Sequence, residues 1–244
     1  MSALGGGVLL AVAALIQSAS PAAPTVDEIV AKHVAARGGR EALRALRTVR
    51  MSGHATAGPG REAIVRREIA RPGRIRTELE FQGTTGVYAW DGVTGWRVSP
   101  LDGSFEARKL PPEEALGLAE QADLEGPLVD WKAKGHKVEL VGTETLDGGP
   151  AHQLKITLKS GGTRRVWVDA ATGQVVRMES TRRFRGRDVI QETVYGNYQV
   201  TNGLAFPRSI ETSARGRPQR LRIVVESVET NPALAATRFK MPRP

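Results

Sequence analysis

Two hydrophobic periods divide the chain. Near its start Val26, Ile29, Val30 and Val34 recur at helical spacing. Thr25 with Glu28 three residues on is a capping box, in which hydroxyl and carboxylate each satisfy an orphan backbone N–H. Gly38-Gly39 ends that helix, because glycine accepts the left-handed conformation of a C-cap. A short second helix is predicted from Arg40 to Leu46, with Leu43 and Leu46 on one face. From Thr48 the period falls to two, the signature of strands with one face inward. The predicted strands are Val49–Ala57, Glu62–Ala70, Arg74–Phe81, Gly86–Trp90 and Gly95–Val98, then Lys137–Thr145, His152–Lys159, Thr163–Val168, Gln174–Phe184, Asp188–Val200, Leu204–Ser213 and Gln219–Val228. Between the two groups Leu110 to Trp131 is helical. Pro111-Pro112 and Glu113-Glu114 suit a helix start, Gly126-Pro127 breaks it, and Leu128 to Trp131 reads as one more helical turn.

Consecutive strands joined by tight turns form an antiparallel sheet. The turn Asp91-Gly92-Val93-Thr94-Gly95 recurs as Asp169-Ala170-Ala171-Thr172-Gly173. In each, the aspartate can accept from the backbone ahead and the glycine supplies positive φ. A sheet this long must curl, and the helices need a sheet to cover their apolar faces. The expectation is a mostly β (α+β) fold: one large curved sheet partly closed by helices, its concave side either packed or hollow.

The segment before the first helix changes where such a molecule would work. Val8 to Ile16 is apolar but too short for a bilayer, and Ser18, Ala19, Ser20 and Pro21-Ala22-Ala23 follow. Apolar core followed by small residues reads as a cleavable export signal over residues 1–22, leaving 23–244 as a single domain. No cysteine is present. That excludes disulfides, thiolate metal sites and a lipidated N-terminal cysteine, so the expected product is exported, soluble and not lipid-anchored. The formal charge is +9, dominated by arginine and densest at Arg182, Arg183, Arg185 and Arg187. Few aromatics interleave with these arginines. They read as solvated strand faces with some attraction to anionic lipid headgroups, not as a nucleic-acid surface.

Candidate chemistry is sparse. His33, His54, His136 and His152 lack ligand spacing. No nucleophile elbow, phosphate loop or dinucleotide fingerprint occurs. Asp91, Asp102, Asp147 and Asp169 sit in turns beside or near glycine. The reading is therefore a protein without catalytic residues, metal or cofactor. Trp90 and Trp96 flank one hairpin, Trp131 ends the helical insertion, and Trp167 makes its strand apolar on both faces. They either fill the core or line an apolar pocket.

The run from Gln121 through Glu125-Gly126-Pro127-Leu128-Val129-Asp130-Trp131 to Gly142 resembles the exported outer-membrane lipoprotein-sorting proteins, the LolA/LolB-like superfamily. Gly38 to Leu43, Trp90 to Trp96, Tyr198 to Pro207 with Asn202-Gly203-Leu204, and Asn231-Pro232 with Phe239-Lys240-Met241-Pro242 resemble it too. The resemblance implies an unclosed β-barrel of antiparallel strands with helices as a lid, and periplasmic carriage of lipoprotein acyl chains or another lipid, in contact with inner- and outer-membrane partner proteins. On that reading Trp90, Trp96, Leu116, Leu118, Leu124, Leu128 and Trp131 are candidates for cavity or lid. The alternative is a non-enzymatic regulatory or structural envelope module that uses the same fold to bind a protein partner, its concave side filled by its own side chains.

Overall fold

The structure is a computed structural model that describes residues 23–58, 60–146, 148–184 and 187–242. The export signal predicted over 1–22 lies outside the described residues, and so do the side chains of the arginine-rich stretch 182–187.

The described residues form three α-helices: α1 (Val26–Ala36), α2 (Arg40–Ala45) and α3 (Pro112–Gln121). The strands are β1 (Thr48–Thr56), β2 (Glu62–Ala70), β3 (Arg74–Phe81), β4 (Thr84–Trp90), β5 (Gly95–Ser99), β6 (Ser104–Lys109), β7 (Lys137–Leu146), β8 (Gly149–Thr157), β9 (Thr163–Asp169), β10 (Val175–Phe184), β11 (Arg187–Thr201), β12 (Leu204–Ala214) and β13 (Arg220–Thr230). All belong to one antiparallel sheet ordered β6-β5-β4-β3-β2-β1-β13-β12-β11-β10-β9-β8-β7. The strands thus form two meanders joined where β1 pairs with β13. The sheet is not closed: β6 and β7 are its free edges, and they are consecutive strands. The connection that carries α3 therefore runs from one edge to the other, across the open side of the curve.

Local chemistry explains the helix ends. The Thr25 hydroxyl accepts from the Glu28 N–H while the Glu28 carboxylate accepts from the Thr25 N–H at 2.7 Å, completing the capping box. Gly38, at φ +110, follows the Arg37 C-cap. The aspartates of the paired turns act as read: Asp91 accepts from the N–H of Val93 and Thr94, and Asp169 from those of Ala171 and Thr172; positive φ falls on Gly92 in the first turn and on Gly173 in the second.

Two expectations are corrected. Leu128 to Trp131 is not a helical turn but part of a run of turns from Pro127 to Gly135, because Asp130 adopts φ +51, which an α-helix cannot contain. The strand β6 was not expected; it is an exposed edge whose Phe105, Glu106, Arg108 and Lys109 all meet solvent, so it carries no alternation to read.

Helices α1 and α2 close one end of the curve. Ile29, Val30, Val34, Leu43 and Leu46 pack with Val49, Leu154, Val166, Phe206 and Val225 in the main core. Helix α3 lies over β2–β5, with Leu118 and Ala122 against Ile69 and Ile75. It approaches closely because Gly95 has no side chain: a Cβ there would stand 2.7 Å from that of Ala115. The convex side is covered in part by the C-terminal segment, whose Phe239 is fully buried. Arg238 in the same segment donates to the buried Glu68 at 2.7 Å, and Arg50 donates to that carboxylate at 2.9 Å.

The joint between the meanders carries a bulge at Ser52/Gly53. A Cβ on Gly53 would overlap the Val224 carbonyl. Gly53→Ala is therefore expected to cost about 1–2 kcal/mol, since backbone rather than a flexible side chain must move. A urea melt with an unchanged midpoint would refute this account of the bulge.

Candidate functional site

Strand pairing defines the concave floor. Met51 opposes Arg67, and Arg67 opposes Thr77; Thr193 opposes Thr212, and Thr212 opposes Leu221. These side chains face α3 and the core, whereas Arg50, Glu68 and Arg76 face the convex side. Between α3 and the β10–β13 part of this floor lies an open cavity of about 590 Å³, lined by Ala57, Gly117, Leu118, Val189, Thr212 and Leu221 among others. A second opening of about 550 Å³ flanks the other side of the connection, between Leu124, Pro127, Arg71, Lys134 and the turn at Lys159-Ser160. Deeper, under the junction of α1 and the Leu124–Leu128 segment, is a narrower cavity of about 190 Å³. Its walls include Met51, Met178, Phe206, Tyr195 and Tyr198, with Arg37 and His33 reaching it from α1 and its C-cap.

The interior is apolar but not uniformly so. The His33 Nδ1–H donates to the Gly173 carbonyl at 3.0 Å. Burial, with Arg37 nearby, lowers its pKa to about 4, so the ring is neutral at pH 7. Burial also lowers the Arg37 and Arg67 pKa values from the usual arginine range and raises that of the Tyr198 phenol. The Tyr198 hydroxyl donates to the Val175 carbonyl at 2.7 Å. Arg67 donates to Gln121 of α3 at 3.0 Å and to Thr77 at 3.3 Å, tying the helix to the floor. Among the described residues no group of three or more His, Cys, Asp or Glu side chains converges on a point that could hold a metal ion.

The sequence candidates fall in different places. Leu118 lines the wide cavity, Leu124 the second opening and the narrow cavity, and Leu128 the narrow cavity. Trp90 packs with Leu118 and Leu124 behind α3. Leu116 is 44 % exposed on the outer face of α3. Trp131 packs at the margin of the main core with Lys132 above its ring, in a surface cleft beside Val30 and Arg40. Trp96 is on the wrong side for a cavity. It pairs with Ala89, while its neighbour Gly95 pairs with Trp90, so the two tryptophans point to opposite faces. Trp96 is buried under the C-terminal segment and donates its indole N–H to the Phe239 carbonyl at 2.8 Å. Trp167 likewise fills the convex side, bonded to Glu144 at 2.7 Å and capped by Arg177. Sequence reasoning missed Arg37 and Arg67. Arg67 did leave a signal: it stands between Val65 and Ile69 in the inward row of β2, a charge where the pattern demands an apolar group.

No protein-family model matches the sequence, and no curated protein matches it either. Solved structures do. A domain described as an outer membrane lipoprotein-sorting protein from Vibrio parahaemolyticus superposes with a TM-score of 0.59 at 12% identity, covering 88% of this chain and 97% of that one. A LolA superfamily protein from Nitrosomonas europaea gives 0.58 at 15% identity, covering 89% and 98%. A DUF1329 family protein from Desulfovibrio piger gives 0.59 at 12%, covering 88% and 97%. The chain has the LolA-like fold: an antiparallel sheet curled into an unclosed barrel, with helices across the concave side. At these identities the likeness concerns the fold.

Proposed function

We propose that this protein is a periplasmic, soluble, non-enzymatic carrier that shelters lipid acyl chains from water between the α3 connection and the concave floor. The observation that supports this most is the open, largely apolar cavity of about 590 Å³ beneath α3. Its volume falls in the range of small-molecule sites, and each methylene moved into it from water contributes about 0.8 kcal/mol. Proteins of the same fold include one described as a lipoprotein-sorting domain, which agrees with acyl chains as cargo. The export signal read in residues 1–22 supports the periplasm, and among the described residues no helix is long and apolar enough to cross a membrane.

Mass spectrometry of lipid extracted from protein purified out of its own envelope tests the proposal. Acyl lipid in stoichiometric amount is expected, and its absence would overturn the carrier reading. Leu118→Asp, which puts a charge in the cavity wall, is expected to lower acyl-chain affinity about tenfold or more, because a desolvated carboxylate replaces apolar contact. Calorimetric titration with a dodecyl amphiphile reads the effect, and undiminished affinity would move the binding site elsewhere.

A further inference from the structure

The hairpin turns sort by end. Because the strands are antiparallel in the order given, the turns β2–β3, β4–β5, β7–β8, β9–β10 and β11–β12 fall at one end of the half-barrel. The turns β1–β2, β3–β4, β5–β6, β8–β9, β10–β11 and β12–β13 fall at the other. Helices α1 and α2 close the first end. Arg71 donates to the Leu43 and Leu46 carbonyls, His33 to that of Gly173 and Lys32 to that of Ala170, and the Ala205 N–H donates to the Arg37 carbonyl. At the second end the wide cavity opens: Ala57, Val189, Ser213, Ala214 and Gln219 of its wall stand in or within a few residues of the turns β1–β2, β10–β11 and β12–β13.

The two ends differ in charge. Turns at the closed end carry Arg71 and Asp91, and Arg71 is matched to Glu125 at 2.6 Å. Turns at the open end carry Arg61, Lys159, Arg215 and Arg217, all exposed, against Asp102. Arg215 pairs with Glu179. Arg61, Lys159 and Arg217 have no carboxylate within ion-pair distance among the described residues. The β10–β11 hairpin adds Arg182, Arg183 and Arg187 at register positions beside its turn. The acids Glu113 and Glu114 of α3 line the cavity rather than these turns. The open end also bares a pair of apolar side chains: Leu101 in the β5–β6 turn is 70 % exposed, and Phe105 at the start of β6 is 76 % exposed. Val93 and Val200 are bare at the closed end, but on separate hairpins and without that excess of cations. Unpaired cations beside bare apolar groups complement a surface that is phosphate outside and hydrocarbon beneath.

We propose that the open end is a membrane-docking surface. Its cationic turns sit on the phosphate headgroups of an anionic bilayer, Leu101 and Phe105 enter the interface, and the mouth of the wide cavity faces lipid. The charge complementarity commits this end to a bilayer surface, and the surface stands on the turns alone, whatever the cavity holds.

The test is co-sedimentation of protein purified from its own envelope with vesicles of one part phosphatidylglycerol to two of phosphatidylcholine, and with vesicles of phosphatidylcholine alone. Partition onto the anionic vesicles is expected to be at least about tenfold stronger, since each lysine or arginine near such a surface is worth about fivefold. Arg61→Glu with Arg217→Glu should lower it about tenfold or more. Arg47→Glu with Lys132→Glu makes the same change in net charge at the closed end and should leave most of it. Leu101→Ser with Phe105→Ser should lower it about fivefold. All these side chains are exposed, and an unchanged denaturation midpoint reports that each variant is folded. Equal partition onto both vesicles would overturn the anionic surface. Equal losses in the two charge-reversed pairs would overturn its placement at the open end. Unchanged partition in the double serine variant would leave a merely cationic patch, the footprint of an acidic macromolecule, and would overturn the bilayer as occupant. The carrier reading fails separately: vesicle binding by protein that holds no acyl lipid would leave the docking surface standing, and acyl lipid without vesicle binding would do the reverse.

Discussion

Trp96→Ala is expected to lower stability by about 3–5 kcal/mol and to leave acyl-chain binding by the folded protein unchanged. The ring is 1 % exposed and packs on the convex face with Val87, Ala89, Val98 and Met241. Truncation removes that burial, opens a hole the neighbouring strands cannot collapse to fill, and strands the Phe239 carbonyl, which accepts the indole N–H. It also loosens the C-terminal segment, through which Arg238 reaches Glu68 and Glu78. A pair of measurements checks the claim: the midpoint of chemical denaturation, and dodecyl-ligand affinity under native conditions. A large loss of affinity with little loss of stability would mean that Trp96 serves the cavity after all.

Acidification gives the second large effect, and it has a direction. Burial lowers the His33 pKa from 6.5 to about 4. Between those values the unfolded chain binds the proton and the folded chain does not, so stability is full above pH 6.5 and falls as the pH drops towards 4. The loss through this one group between pH 7 and pH 5 is expected to be on the order of 2 kcal/mol. The carboxylates held low by their partners, Glu28, Glu68, Asp169 and Glu211, release their contributions lower, once the pH falls through the ordinary carboxylate range. The pH 7 to 5 window therefore reports the histidines: His33, and with it the less buried His136, whose pKa is also lowered by desolvation and by Lys134 beside it. Denaturant melts of the wild type and His33→Gln across it make the comparison. The wild type should lose clearly more stability than the variant, which keeps the smaller dependence from His136; parallel curves would assign the pH dependence elsewhere. Because His33 anchors α1 to the Gly173 turn beside Arg37, the end of the molecule that loosens is the end covering the narrow cavity.

Much of this architecture is legible in the residues, and the reasons are local. Glu62–Ala70 and Arg74–Phe81 form strands with the bounds expected, because a twofold pattern is flanked by turn residues on each side. The capping box at Thr25 and the two Asp-x-x-Thr-Gly turns are short-range devices that act before any tertiary contact forms. The same locality explains the failures. At Leu128 to Trp131 the apolar spacing suits a helix, yet Arg40 and Arg44 reach Asp130 from α2; such partners lie outside any sequence window. Grouping Trp90 with Trp96 treated two residues of one hairpin as one patch, although a register that pairs Trp90 with Gly95 separates their faces. The wide cavity was not legible at all in its floor, since Thr212, Val189 and Leu221 are ordinary strand residues until the sheet curls.

The order of the strands also constrains traffic. The chain leaves one rim of the half-barrel at Lys109 and joins the other at Lys137, so the piece between them is a bucket handle, fixed at both ends, not a flap hinged at one. A handle cannot swing clear. It can only slide or peel while its ends stay put, and the two openings on its flanks, about 590 and 550 Å³, are side windows. A guest on this geometry comes and goes sideways, threading beneath the handle end-on, and a straight, narrow chain passes where a bulky or branched body would jam.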